Sequence, residues 1–245
     1  MSFFEPERTQ FDLNFRLLGF PVRISPWFWV IAAFLGASSK PQTLVLWILA
    51  MLVGIIVHEL GHALAMRYYG FQPEIILHGA GGLTTYNTDN YINRRFLTNR
   101  DKIIIDGAGP GAGFLLFALI GLGLYAIGVN PFNFVFFGMS DEENRSLFQF
   151  LSYPVILFTG QFMYICLFWG ILNLMPIYPL DGGQIAREIC LAINPYRGLY
   201  VSLYISFVTA LVLGGLALIY GMTFAALFCA LFAYESWQNM QIRRY

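Results

Sequence analysis

Residues 43–69 read TLVLWILAMLVGIIVHELGHALAMRYY. The stretch Thr43–Val57 carries no charge, and then two histidines and a glutamate, His58, Glu59 and His62, interrupt the apolar run. A run near 20 apolar residues is the length that crosses roughly 30 Å of hydrocarbon. A carboxylate at membrane depth costs about 2.5–3.5 kcal/mol on insertion scales, which marks Glu59 as functional. One stretch therefore points to a spanning helix and to a chemical site within it.

The rest of the chain agrees with a membrane setting. Of its 245 residues 58% are apolar, 18% aromatic and only 11% charged. Soluble domains average about 25% charged residues. Formal net charge is zero, so no basic excess points to nucleic acid. Cys166, Cys190 and Cys229 form no CxxC pair and read as small apolar side chains. The first 16 residues, MSFFEPERTQFDLNFR, are mixed in charge and lack an apolar core, so no cleaved signal peptide is expected.

Six apolar segments are expected, at about 26–38, 43–69, 103–128, 153–176, 199–220 and 222–237. The first can begin within the amphipathic stretch Leu17–Val22. The second, third and fourth form a core, the other three a periphery, and 1–245 reads as a single membrane-embedded domain. Twelve of the 14 basic residues fall in the N-terminal segment, the loops after segments two and four, and the C-terminus; only Lys40 and Arg145 fall on the other side. By the positive-inside rule both termini are cytoplasmic. Residues 74–86, EIILHGAGGLTTY, suggest two short strands around glycines. The expected fold is thus an all-α polytopic membrane protein with a small re-entrant β-hairpin beside the site.

His58-Glu59-Leu60-Gly61-His62 is an HExxH motif. Residues i and i+4 share a helix face, so both imidazoles reach one metal and Glu59 lies beside them to take a proton from water. Catalytic zinc takes three protein ligands and keeps one open position. The third ligand has to come from elsewhere, and Asp106, Asp181 and His78 are the candidates. Segments two and four both run inward and end at one depth, which suits Asp181; Asp106 lies at a similar depth. His78 reads as a loop histidine, and Gln161 as an interhelical hydrogen-bond partner. Pro176 and Pro179 break the helix before Asp181, and non-helical backbone at membrane depth belongs beside protein or a wet cavity.

HExxH on one spanning helix, followed by Asn173-Leu-Met-Pro176-Ile-Tyr-Pro179-Leu-Asp181-Gly-Gly183 on a later one, resembles the site-2 protease family of intramembrane zinc metalloproteases. The likeness covers about Val53 to Ile185. It implies that His58, His62 and Asp181 hold one Zn2+ per chain, that Glu59 is the general base and that Asn173 helps to bind substrate. It also implies that the glycine loop with Gly79, Gly81 and Gly82 is a re-entrant strand that holds the substrate. That substrate would be a transmembrane protein in a lipid bilayer, here the inner membrane of a prokaryotic cell. The family often shows GPxxN early in its third core helix; this chain has Gly109-Pro110-Gly111-Ala112-Gly113, with glycine in place of asparagine. Two other readings are an inactive relative that binds membrane proteins without cutting them, and an intramembrane metal carrier. The intact motif speaks against the first. Against the second, a carrier has no special need of Glu59, and segments five and six offer almost no polar path.

Overall fold

The computed structural model describes residues 8–37, 40–86, 97–137 and 139–242. Ser38 of the first expected segment, Arg94 and Arg95 of the basic loop, and Arg243 and Arg244 lie outside the described residues. The chain clusters into two compact units, Met1–Arg95 with Ala108–Gly170, and Phe96–Gly107 with Ile171–Tyr245.

The first unit opens with strands β1 (Leu13–Leu17) and β2 (Phe20–Ile24), joined through Leu18 and Gly19 at φ of 51° and 84°. A two-residue hairpin turn of this kind matches the twist of its strands and requires positive φ at both positions. Leu18 is held there by Arg67, whose guanidinium donates to the Leu18 carbonyl at 3.1 Å and sits 3.5 Å above the Phe20 ring. Two helices follow, α1 (Pro26–Leu35) and α2 (Pro41–Tyr68), each with proline where the missing N–H is harmless.

The chain then returns as β3 (Pro73–His78), parallel to β2, and β4 (Gly81–Tyr86), antiparallel to β3. The sheet order is β1-β2-β3-β4, so β4 is an edge. Phe20, Val22, Ile24, Ile75 and Leu77 point into one core with Ala50, Ile55 and Ala63 of α2. On the other face the buried Arg23 pairs with Asp12 at 3.0 Å.

Helix α3 (Asn99–Ala126) belongs to this unit from Ala108 onward. An amphipathic helix α4 (Asp141–Phe150) starts at a reciprocal cap between Ser140 and Glu143. Helix α5 (Tyr153–Asn173) adds Phe162, Ile165 and Cys166 to the core. Among apolar helices in lipid, close approach of backbones replaces the hydrophobic effect as the source of association. Gly113 illustrates it, because a Cβ there would lie 3.0 Å from the Cys166 carbonyl oxygen. Any side chain at 113 would press on that carbonyl, so glycine lets α3 and α5 approach closely here.

The second unit holds the start of α3 with α6 (Asp181–Ile193), α7 (Gly198–Ile219) and α8 (Thr223–Ile242). Ile177, Ala210 and Ala233 form its core. The buried Glu188 of α6 accepts from Lys102 at 3.2 Å, and Asn99 donates to the Glu188 carbonyl at 3.1 Å, which ties α6 to the first turn of α3.

The chain is an integral multi-pass membrane protein, and the structure adds detail to the expected layout. Among the described residues four helices are long and apolar enough to cross a membrane: Thr43–Tyr68, Asn99–Ala126, Tyr153–Asn173 and Gly198–Ile219. The first expected segment is a helix of only 10 residues. The sixth, α8, falls short because its second half carries Glu235, Ser236, Gln238 and Asn239. The expected hairpin is half of a four-stranded sheet, and the amphipathic stretch Leu17–Val22 is the β1–β2 turn with its flanking strand residues. Segment four ends at Asn173, where the two prolines stop it, and α4 and α6 are additional amphipathic helices.

Candidate metal centre

Helix α2 carries His58, Glu59 and His62 into the protein, each at 6% exposure or less. One helical turn separates the two histidines, and their Nε2 atoms converge to 3.2 Å with the rings edge to face. Two lone-pair nitrogens converging on one point suit a shared cation. Room for the His62 ring comes from Gly109 of α3: a Cβ there would overlap Nε2, Cε1 and Cδ2 of the imidazole.

Glu59 lies between the histidines in sequence and turns toward the sheet. Thr84 of β4 donates its hydroxyl to Glu59 Oε2 at 2.7 Å, and the same hydroxyl lies 3.1 Å from the Glu59 main-chain carbonyl oxygen. Gly82, two residues earlier, packs its bare Cα against the Glu59 side chain, where a Cβ would overlap the carboxyl group. Gly81 has φ of +128° and stands against the Trp169 ring, while Gly79 stands against Trp27 and Ile31. The three glycines of the loop are thus backed on their Cα side by the protein's own side chains, and any further contact has to use the backbone.

Asp181 is the first residue of α6, where the positive end of the helix favours a carboxylate. The preceding stretch from Leu174 to Leu180 is a chain of tight turns, closed by Ile177 N–H to the Met175 carbonyl at 2.7 Å and Leu180 N–H to the Ile177 carbonyl at 2.8 Å. Tyr178 N–H donates to Ser206 Oγ on α7 at 2.7 Å, and Ser206 Oγ lies 2.7 Å from Ser236 Oγ on α8. Gly182 and Gly183 lie in the first turn of α6, against the backbone of Leu174, Met175, Ile177 and Tyr178. Side chains at those two positions would push α6 off the loop.

Among the described residues His58, His62 and Asp181 are the group able to hold a metal ion, each offering one ligand atom. Two imidazoles and one carboxylate are a donor set for catalytic zinc, leaving a position open. Neither Asp106 nor His78 is in the group. Asn173 is the last residue of α5. Thr84 is the site residue that sequence reasoning missed; the expected strand placed it one β-period after Gly82, but nothing in the sequence tied it to Glu59.

A helical multi-pass protein with two histidines and a carboxylate for a metal, and a glutamate beside them, has the layout of a membrane-embedded metallohydrolase. The chain matches peptidase family M50 over residues 46–213, more than half of its length, and belongs to that family. It is 25% identical over 179 residues to a zinc metalloprotease of Methanocaldococcus jannaschii; that match takes in 71% of this chain and 44% of the relative, so the chain spans less than half of the relative's length. Its fold is similar to that of a solved site-2 protease from the same organism, with a TM-score of 0.59, 20% identity, and 94% of this chain and 95% of that one covered.

Proposed function

We propose that this chain is an intramembrane zinc metalloprotease, one membrane-embedded domain that hydrolyses peptide bonds in the spanning segments of membrane proteins. The observation that carries the reading is the convergence of the His58 and His62 Nε2 atoms at 3.2 Å beside a buried glutamate on one spanning helix. His58, His62 and Asp181 would hold a zinc ion, which when bound would supply Lewis-acid activation of water and of the scissile carbonyl. Glu59 accepts the proton of the attacking water at its carboxylate and delivers it to the leaving amine. Asn173, at the end of α5, hydrogen-bonds the substrate or its developing oxyanion.

A peptide bond inside a helix is shielded, so the substrate has to unwind before attack. We place the unwound segment along the outer edge of β4, which no other strand pairs among the described residues, near Gly79, Gly81 and Gly82, paired backbone to backbone. In support, β4 ends the sheet, and the glycines' Cα faces are already filled from within.

The distribution of basic residues supports six crossings, with α1 and α8 as the two beyond the long apolar helices, and both termini in the cytoplasm. Helix α1 rises only about 15 Å, and it can be short because it starts from the sheet: Ser25 N–H donates to the Leu77 carbonyl at 2.8 Å. The host membrane in this reading is the inner membrane of a prokaryotic cell.

The test uses the full chain in detergent or nanodiscs and a synthetic single-span peptide that the wild type cleaves. Glu59→Gln is expected to abolish cleavage while one zinc per chain is retained. Cleavage by Glu59→Gln at the wild-type rate would overturn the reading.

A further inference from the structure

We infer that Thr84 is a positioning residue for the general base, and that β4 is the element that aims the Glu59 carboxylate. The inference rests on the reading of Glu59 as the base and adds to it a second-element device that HExxH itself does not contain.

A glutamate on a helix has several rotatable bonds, and one buried at 3% exposure needs donors to hold its charge. Among the described residues the side-chain donor to the Glu59 carboxylate is Thr84 Oγ1, at 2.7 Å, a short bond as expected for a charge-assisted contact. The same hydroxyl lies 3.1 Å from the Glu59 main-chain carbonyl, a second and more distant acceptor for its single proton, which keeps it against the helix. Gly82 bounds the carboxyl group from a second direction, since anything larger than hydrogen on its Cα would displace that group.

These two contacts come from one strand face. Residues i and i+2 of a strand point the same way. Gly82 is opposite Leu77 and Thr84 is opposite Ile75, and both Leu77 and Ile75 are fully buried. A slip of β4 by one residue would turn Leu83 or Thr85 toward Glu59 in place of Thr84. The buried face of the sheet therefore sets where the hydroxyl stands, and the hydroxyl sets one carboxylate oxygen. The hydrogen bond of Thr84 is to the base and not to a metal ligand, so its effect should fall on turnover.

The experiment compares Thr84→Val, Thr84→Ser, Gly82→Ala and Glu59→Gln in the reconstituted full chain, on the same single-span peptide, with zinc counted in each. Thr84→Val keeps the β-branched shape and loses the donor; it is expected to lower kcat by about 10- to 100-fold, the scale of a small misplacement of a reacting group, with KM within about twofold, as for loss of an interaction made only in the transition state. Thr84→Ser restores the donor and should stay within about threefold of wild type, and Gly82→Ala should lose kcat with zinc retained. Wild-type kcat in Thr84→Val, a loss confined to KM, or equal loss in Thr84→Ser would each overturn the positioning role. Full activity in Glu59→Gln would instead remove the reading beneath it, whatever the Thr84 variants do.

Discussion

The Nε2 atoms of His58 and His62 face each other at 3.2 Å. A pair at this distance shares one proton as a neutral hydrogen bond or shares a metal ion in its place. Exhaustive treatment with a zinc chelator is expected to abolish peptide cleavage, and re-addition of about one zinc per chain to restore it. Activity that survives complete zinc removal would contradict a metal-dependent role for the pair.

Gly109 tests the room left for that metal ligand. Gly109→Ala drives a methyl group into the His62 ring and is expected to weaken zinc binding by about 10-fold or more, the scale seen when ligand orientation is lost. At Gly111 on the same helix an added methyl group would meet nothing within 4 Å, so Gly111→Ala should bind zinc normally. Equal affinities in the two variants, read by competition with a zinc indicator, would mean that Gly109 is not what seats the ring.

Ser206 links the loop before Asp181 to the α7–α8 hairpin through Tyr178 N–H. Ser206→Ala strands that donor and also leaves Ser236 Oγ without its 2.7 Å partner. The expected cost is about 1–3 kcal/mol, read as a lower unfolding temperature in detergent. A variant as stable as wild type would show that the loop is held by other contacts.

Glu143 gives a pH-dependent feature away from the spanning helices. Its carboxylate accepts from Asn130 N–H at 2.9 Å, then from Ser140 N–H at 2.8 Å and the Ser140 hydroxyl at 3.0 Å, and these bonds hold it below the ordinary value of 4.5. With the folded value depressed, the cap's contribution is present above 4.5 and is lost as pH falls through the lower folded value. Amide exchange at 141–150 should accelerate across that acid window in wild type and show no such step in Glu143→Gln. A step of equal size in both would assign it to another group.

How much of this is readable from sequence depends on the type of signal. HExxH is local: five residues on one helix fix two ligands and a base through helical period alone. The Pro176/Pro179 stop and the LDG motif are local too. The sheet is half legible. Glycines between Ile75-Ile76-Leu77 and Leu83-Thr84-Thr85 expose β3 and β4, while β2 merges with the start of the first apolar segment and β1 falls in the mixed-charge N-terminal stretch. Yet Leu13, Phe15 and Leu17, then Phe20, Val22 and Ile24, alternate with polar or small residues around Leu18–Gly19, which is the period of a strand. Helix lengths err where composition changes within an element, as in α8, whose first half is apolar and whose second half is not. The role of Thr84 is out of reach, because its partner is 25 residues away and no spacing rule connects a strand hydroxyl to a helix carboxylate.

The central claim is that His58, His62 and Asp181 hold one zinc ion. Its most direct test is the zinc content and affinity of purified wild type against Asp181→Ala. The account predicts about one zinc per chain in the wild type and a marked loss of affinity in the variant. Zinc held at wild-type stoichiometry and affinity in Asp181→Ala would contradict it and send the search for the third ligand elsewhere.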